Sequence, residues 1–455
     1  MSQDALHNAI PIGEEEFTRL MANCGLSADN KSVAVAVSGG ADSMALSLLV
    51  ARWGKAVYLS FDHKLRAESS AEILQVQKWL TRRGLKHYIL SWDGEKPTSN
   101  IQQTAREARY LAMEKWCKEH AIEHLLIAHH EADQAETFLM RLARGSGVDG
   151  LSAMSHNSAP MFLDDGPQYV RPLLTQSKNR LLVTLEGMGQ AWLEDPSNEN
   201  MVFTRVQARK LLDDEPLGGI NPMRLAKTAE RMKRVRRVLD RLTSQLLDKA
   251  VSSTDLGKLA GYCHLNTKKL VKADEEIALR ALSKLLTHFG GSMYPPSMLP
   301  VERLLNEIMR DGFSGATLGG CHILAGPSGT SQVLIGREEN AVGEEVLVKP
   351  GETKLWDNRF VVHIDQNLPP LWVKKLQASQ WREILKADKA LPKPKITYVP
   401  ELPNVFVPTV PVFCLANDDA LSNIVAIPTF KHWQNEPMGL TANFQPKQAL
   451  KPKLP

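Results

Sequence analysis

The sequence predicts an α/β protein: a doubly wound parallel sheet, then a helical second domain and a small β-rich C-terminal module. Three observations carry this reading. Apolar runs at Val33–Val37, Lys55–Phe61, Lys86–Trp92 and His124–Ala128 alternate with helical stretches of βαβ length. The first run is unbroken, as expected of a strand buried on both faces, and it ends in the turn Ser38-Gly39-Gly40. Near Pro216–Pro222 the alternation stops, and Leu225, Ala229, Met232, Val235, Leu239, Leu242 and Leu246 recur at helical spacing. The boundaries expected are residues 1–215 for the sheet domain, 216–340 for the helical domain and 341–455 for the β-rich module.

Taken in order, residues 1–30 hold a leading helix with Phe17, Leu20, Met21 and Leu26 as its contacts. The strand at 33–37 passes through the glycine turn into an apolar helix, Met44–Leu49. A second strand, 55–61, runs into Asp62-His63-Lys64-Leu65-Arg66. Helix 71–83, strand 86–92, helix 101–120 and strand 124–128 complete the pattern. Ligands of such sheets bind at the carboxyl ends of the strands, where the turn after Val37, Asp62 and His129 all fall. Helices are expected at 224–249, 277–289 and 301–309, then one β-hairpin from 316–324 and 331–335. Strands follow near 353–355 and 359–364. Recurring prolines from Pro392 to Pro411 favour short edge strands and turns, and the tail 445–455 is expected to be disordered.

Composition narrows the function classes. A 455-residue chain is too long for one ordinary domain, and its 43% apolar and 23% charged residues are those of a globular protein. Cys24, Cys117, Cys263, Cys321 and Cys414 form no Cys-x-x-Cys pair, which argues against a disulfide framework, a zinc knuckle and a cysteine-ligated cluster. No apolar run approaches the length of a membrane span, and the first residues lack the regions of a signal peptide, so a cytoplasmic protein without membrane attachment is expected. A net charge of +4 is slight, so nucleic-acid binding would rest on local basic patches.

Two strings carry chemistry. In Ser38-Gly39-Gly40-Ala41-Asp42-Ser43 the glycines let backbone N–H groups approach an anion, and the following helix directs its positive end to the same place. Asp42 and Ser43 fall where N-caps fall, and the hydroxyls of Ser38 and Ser43 are placed to donate to phosphate oxygens. The string is neither Gly-x-Gly-x-x-Gly nor a Walker loop. Glycine and serine alone would equally suit a turn without a ligand. The second string is His129-His130-Glu131-Ala132-Asp133-Gln134-Ala135-Glu136-Thr137 at a helix start. His129 or His130 shares a helix face with Asp133. Facing the turn, Asp133 would hold magnesium on triphosphate oxygens, and a histidine would stabilise charge or move a proton. A capped, solvated helix terminus is the alternative.

The first string resembles the pyrophosphate loop of the N-type ATP pyrophosphatases. In the same chain Asp62–Arg66, Ala105-Arg106-Glu107-Ala108-Arg109-Tyr110, His129–Thr137, Arg144-Gly145-Ser146-Gly147, Arg171-Pro172-Leu173-Leu174, Asp195-Pro196-Ser197-Asn198 and Phe203-Thr204-Arg205 follow in order. Together they resemble the tRNA(Ile)-lysidine synthetase family, densely over about the first 210 residues and more thinly beyond. The resemblance implies a Rossmann-like PP-loop domain that binds ATP through Ser38, Gly39, Gly40, Ala41, Asp42 and Ser43. It implies adenylation of the wobble cytidine of a CAU-anticodon isoleucine tRNA, then attack by the ε-amine of free L-lysine. Asp42, His130, Asp133, Arg109 and Arg205 are the catalytic candidates, and Asp133 is the magnesium candidate. A guanidinium binds phosphate bidentately, though a surface salt bridge is an arginine's commoner fate. The basic stripe from Arg224 to Arg241 would track a tRNA backbone, with a salt-bridged solvated face as the alternative. Oligomeric state stays open, a homodimer included.

Two positions depart from the family pattern: Ala132-Asp133 replaces a pair of aspartates, and Lys64 replaces a glycine or other small residue. Other readings fit less well. A sulfur-transfer enzyme would need paired cysteines, and an amidotransferase a glutaminase domain or N-terminal cysteine. An NAD synthetase-like ligase has no use for the basic helical domain. An inactive tRNA-binding relative is favoured only by Ala132.

Overall fold

The computed structural model describes residues 9–28, 32–64, 69–92, 101–163, 165–194, 204–213, 219–253, 255–327, 329–389, 404–415, 423–430, 432–433 and 439–447. Of the sequence expectations, Leu65, Arg66, Asp195–Asn198, Phe203, most of the proline-rich stretch and the end of the tail lie outside these residues. The chain divides into two compact units, Met1–Arg237 and Val238–Pro455.

In the first unit the elements run α1 (Glu14–Asn23), β1 (Val33–Ala36), α2 (Ala41–Trp53), β2 (Ala56–Asp62), α3 (Ser69–Arg82), β3 (Lys86–Ser91), α4 (Ile101–Glu119), β4 (His124–Leu126) and α5 (Glu131–Ala143). They continue with α6 (Val148–Leu151), β5 (Asn157–Ser158), β6 (Gln168–Val170), α7 (Lys178–Gly187), α8 (Thr204–Asp213) and α9 (Pro222–Ala250), of which residues through Arg237 belong to this unit. The sheet order is β3-β2-β1-β4-β6-β5, parallel except for the short edge strand β5. Alternation along β1 divides its side chains between two cores. Val33 and Val35 pack with Phe17 of α1, Met44 of α2, Val76 of α3 and Leu181 of α7. Ala34 packs with Tyr110, Met113 and Cys117 of α4 on the other face. Helices on both faces of a parallel sheet are the doubly wound arrangement expected. Because β2 and β4 flank β1, the chain winds away from β1 in both directions, and a crevice opens at the carboxyl ends of β1 and β4.

The second unit contains the rest of α9 and β7 (Val251–Ser252), α10 (Asp255–Ala260), β8 (Tyr262–Asn266), α11 (Thr267–Val271), α12 (Glu275–Gly290) and α13 (Met298–Met309). The stretch expected as one hairpin forms three strands, β9 (Gly315–Leu318), β10 (Cys321–Ala325) and β11 (Gln332–Arg337), because Gly319 and Gly320 both adopt positive φ and turn the chain. Their sheet, β7-β8-β11-β10-β9, packs Cys263, Leu265, Ile323 and Ile335 against α12 and α13. Beyond it lie β12 (Val346–Val348), β13 (Thr353–Trp356), β14 (Phe360–Ile364), β15 (Leu371–Lys375), α14 (Ala378–Lys389), β16 (Pro411–Cys414), β17 (Ile424–Ile427), β18 (His432–Trp433) and β19 (Leu440–Phe444). The expectation of edge strands around the prolines is corrected at β16, the central strand of β12-β15-β16-β17-β18. Pro411 is tolerated there as the strand's first residue.

Candidate active site

The turn after β1 is shaped by Gly39. Its φ is +91°, and a Cβ there would lie 2.6 Å from Val76 Cγ2 and 2.7 Å from Leu193 Cδ1. Glycine is required twice over, by backbone conformation and by space. Gly40 has φ −69° and is the N-cap of α2, which corrects the expectation that Asp42 or Ser43 caps it. The hydroxyl of Ser43 donates to the Gly40 carbonyl at 2.9 Å. It accepts from the Ser38 and Gly39 N–H groups at 3.2 Å each, and from Ser38 Oγ at 3.1 Å. Ser43 therefore organises the loop internally rather than holding its proton ready for a phosphate. The N–H groups of the first turn of α2 have no intrahelical acceptor and face outward with the helix's positive end. Leu193 closes one side of the loop, its N–H donating to the Gly39 carbonyl at 2.9 Å.

Across the crevice, His130 is the N-cap of α5 and is buried. Its Nδ1 accepts from the Ala132 N–H at 3.2 Å, while the His130 backbone N–H donates to Asp133 Oδ2 at 2.9 Å. With Nδ1 so occupied, the neutral ring carries its proton on Nε2. That atom faces Asp42 Oδ2 at 3.4 Å and Asp133 Oδ2 at 3.7 Å. Burial opposes charge on this imidazole, but the two carboxylates outweigh it and hold the pKa above the ordinary histidine value. The structure thus brings Asp42, His130 and Asp133 together at the crevice.

The remaining string residues divide by task. His129 Nδ1 accepts from Arg171 Nε at 3.2 Å, and Arg171 also holds the Ser155 carbonyl and the Ser158 hydroxyl. Gln134 clamps both the N–H and the carbonyl of Met154, and buried Glu136 accepts from Arg209 of α8 at 2.8 Å. No sequence signal separated these two from the chemical residues, because their partners are distant in the chain. Arg109 and Arg106 both stack on the Tyr110 ring, at 5.0 and 4.9 Å. Arg205 falls in the first turn of α8, and its side chain lies outside the described residues. Asp62 is buried and accepts from the Lys64 N–H and from the hydroxyls of Ser69 and Ser70. Burial would raise its pKa, but these three donors hold it below the usual carboxylate value. Asp62 therefore ties the turn at Lys64 to the hydroxyls at the start of α3.

A family profile described as a PP-loop domain matches residues 11–215. The chain is 36% identical over 340 residues to the tRNA(Ile)-lysidine synthase of Wolbachia pipientis wMel, covering 73% of this chain and 76% of that one. It is 37% identical over 338 residues to that of Ruegeria pomeroyi, covering 73% and 76%. With the enzyme of Rickettsia felis it shares 29% identity over 438 residues, 95% of this chain and 96% of the other. The chain belongs to the tRNA(Ile)-lysidine synthase family.

Membership gives the departures a structural setting. Lys64, where the family pattern favours a small residue, has φ +51°. A left-handed position of this kind favours glycine, and here the Asx turn of Asp62 holds the lysine in it. At the other departure, Ala132 contributes its backbone N–H to His130 Nδ1 and has no carboxylate, so the acids beside this imidazole are Asp42 and Asp133. Among the described residues no helix is long and apolar enough to cross a membrane.

Proposed function

We propose that this chain forms lysidine on the CAU-anticodon isoleucine tRNA, using ATP and free L-lysine in the cytoplasm. The observation that carries the reading is the convergence of the Gly39 loop with His130 and Asp133 at one sheet edge, in a chain of this family. In the first half-reaction the C2 oxygen of the wobble cytidine attacks the α-phosphorus of ATP, and pyrophosphate leaves. Loop amides and the positive end of α2 offset the charge on that leaving group. In the second, the lysine ε-nitrogen attacks C2. AMP departs with the original oxygen, and the amine loses a proton.

The residues present suit a magnesium ion. Asp42 Oδ1 is buried without a hydrogen-bond partner, and Asp133 lies on the same imidazole. Among the described residues no three His, Cys, Asp or Glu side chains are grouped so as to hold a metal ion by themselves. Asp42 and Asp133 would hold it, and it would supply charge neutralisation at the phosphates. His130, through its Nε2 proton, keeps the two carboxylates together beside the loop. Arg109 and Arg205 are proposed to contact tRNA phosphate, because a guanidinium binds phosphate bidentately.

The test is incubation with ATP, radiolabelled lysine and an unmodified CAU-anticodon isoleucine tRNA transcript. Label should enter tRNA only when ATP and the wobble cytidine are both present. Retained tRNA binding without transfer would overturn the reading and mark an inactive relative.

A further inference from the structure

Within the second unit, a groove of about 580 Å³ lies among the end of α9, α11 and the start of α12. The volume is that of a ligand site rather than a packing defect. Leu242, Leu246 and Ile277 form its apolar lining, and Lys249, Lys269 and Lys272 supply its charge. Asp274 is the one acid lining it among the described residues. Two nearby acids are engaged elsewhere: Asp240 with Lys284 at 3.0 Å, and Glu276 with Arg280 at 2.7 Å. Lys269 is tied down, its Nζ donating to the Lys249 carbonyl at the C-terminal end of α9. Lys249 and Lys272 are exposed.

Three ammonium groups against one carboxylate select an anion and disfavour a second copy of the same cationic face. No aromatic ring lines the groove among the described residues, so it offers no platform for stacked bases. Lysine is a point charge suited to phosphate. We propose that this groove holds the sugar-phosphate backbone of the substrate tRNA, with Lys249 and Lys272 as its phosphate contacts. The apolar lining packs against ribose, and the contact positions the RNA without reading its sequence. This rests on the tRNA reading above.

The experiment compares wild type with the pair Lys249→Gln/Lys272→Gln, and with Lys249→Arg/Lys272→Arg, leaving Lys269 untouched. Binding of the full tRNA transcript is measured across salt concentrations, and lysine transfer is read in the same samples. The glutamine pair should lower the slope of log affinity against log salt by about 2, since each phosphate contact contributes just under 1. The arginine pair should restore it. A slope unchanged in the glutamine pair overturns the groove, and so does an equal loss in the arginine pair. Competition for the groove by polyglutamate as strong as by tRNA overturns it in favour of an acidic protein segment. The slope difference without lysine transfer leaves the groove standing and removes the reaction. Transfer with an unchanged slope does the reverse.

Discussion

His130 Nε2 lies 3.4 Å from Asp42 Oδ2, joining the first turn of α2 to the cap of α5 across the crevice between β1 and β4. The contact depends on His130 presenting Nε2, which follows from Nδ1 being taken by the Ala132 N–H. Asp133 completes the set and also holds the His130 N–H. Asp133→Asn keeps a carbonyl oxygen for that N–H and removes only the charge. It should fold with a melting temperature near wild type and lose adenylation by about 10²-fold or more, as expected when a group offsetting transition-state charge is removed. Pyrophosphate release on CAU-anticodon tRNA checks this. Adenylation near the wild-type rate would remove Asp133 from the reaction.

The two loop glycines should respond differently to a methyl group. Gly39→Ala puts a Cβ against Val76 and Leu193 at positive φ, so the loop must move. The strain is about 1–2 kcal/mol from conformation alone, and ATP affinity should fall with it. In Gly40→Ala the nearest atom, Ser38 Oγ, is 3.7 Å away and the backbone is already extended. That variant should fold as wild type does. Thermal melts with and without ATP distinguish them, and equal destabilisation would contradict the geometry.

The parts of the site that were legible in the sequence are local ones. An unbroken strand running into Ser-Gly-Gly forces a turn, and a helix start carrying His130 and Asp133 forces both toward its first turn. What stayed hidden depends on distant partners. Ser43 reads as a phosphate donor until its proton is seen to go to the Gly40 carbonyl. The part Glu136 plays is hidden until Arg209 is placed beside it. Pro411 reads as an edge signal until its strand is seen to use it only as a first residue. Strand β8 was missed because Tyr262–Asn266 gains its strand character from pairing with β11, about 70 residues later.

Asp357 should be the most damaging single charge to remove from the second unit. It sits at φ +52° in the β13–β14 turn, its side chain is almost fully buried, and its carboxylate accepts from Arg337 Nη2 and Arg359 Nε at 2.6 Å each. Arg359 is itself fully buried, and burial holds its pKa down to about 10 despite the carboxylate. Asp357→Asn suits the left-handed turn and isolates the loss of charge. It leaves two guanidinium groups without their counter-ion, a change that costs about 3–5 kcal/mol. Urea unfolding measures the loss, and a change below about 1 kcal/mol would show that the buried pair is replaceable.

His87 sets an acid limit on the sheet that carries the site. Ser60 Oγ donates to the Val37 carbonyl at 2.8 Å, so its lone pair receives the His87 Nε2 proton, also at 2.8 Å. The other nitrogen, Nδ1, is buried without a hydrogen-bond partner. A second proton would create a charged donor with nothing to receive it, and burial pushes the pKa down from 6.5 to about 4. In that window the unfolded chain binds the proton and the folded one does not. Stability from the neutral ring is therefore present above pH 6.5 and lost as pH falls toward 4. His87→Gln keeps a donor toward Ser60 and does not titrate. Urea midpoints at neutral pH and at about pH 5 should converge on those of the variant as the wild type loses its advantage. Parallel pH dependence of the two proteins would mean that His87 is solvated and protonates without penalty.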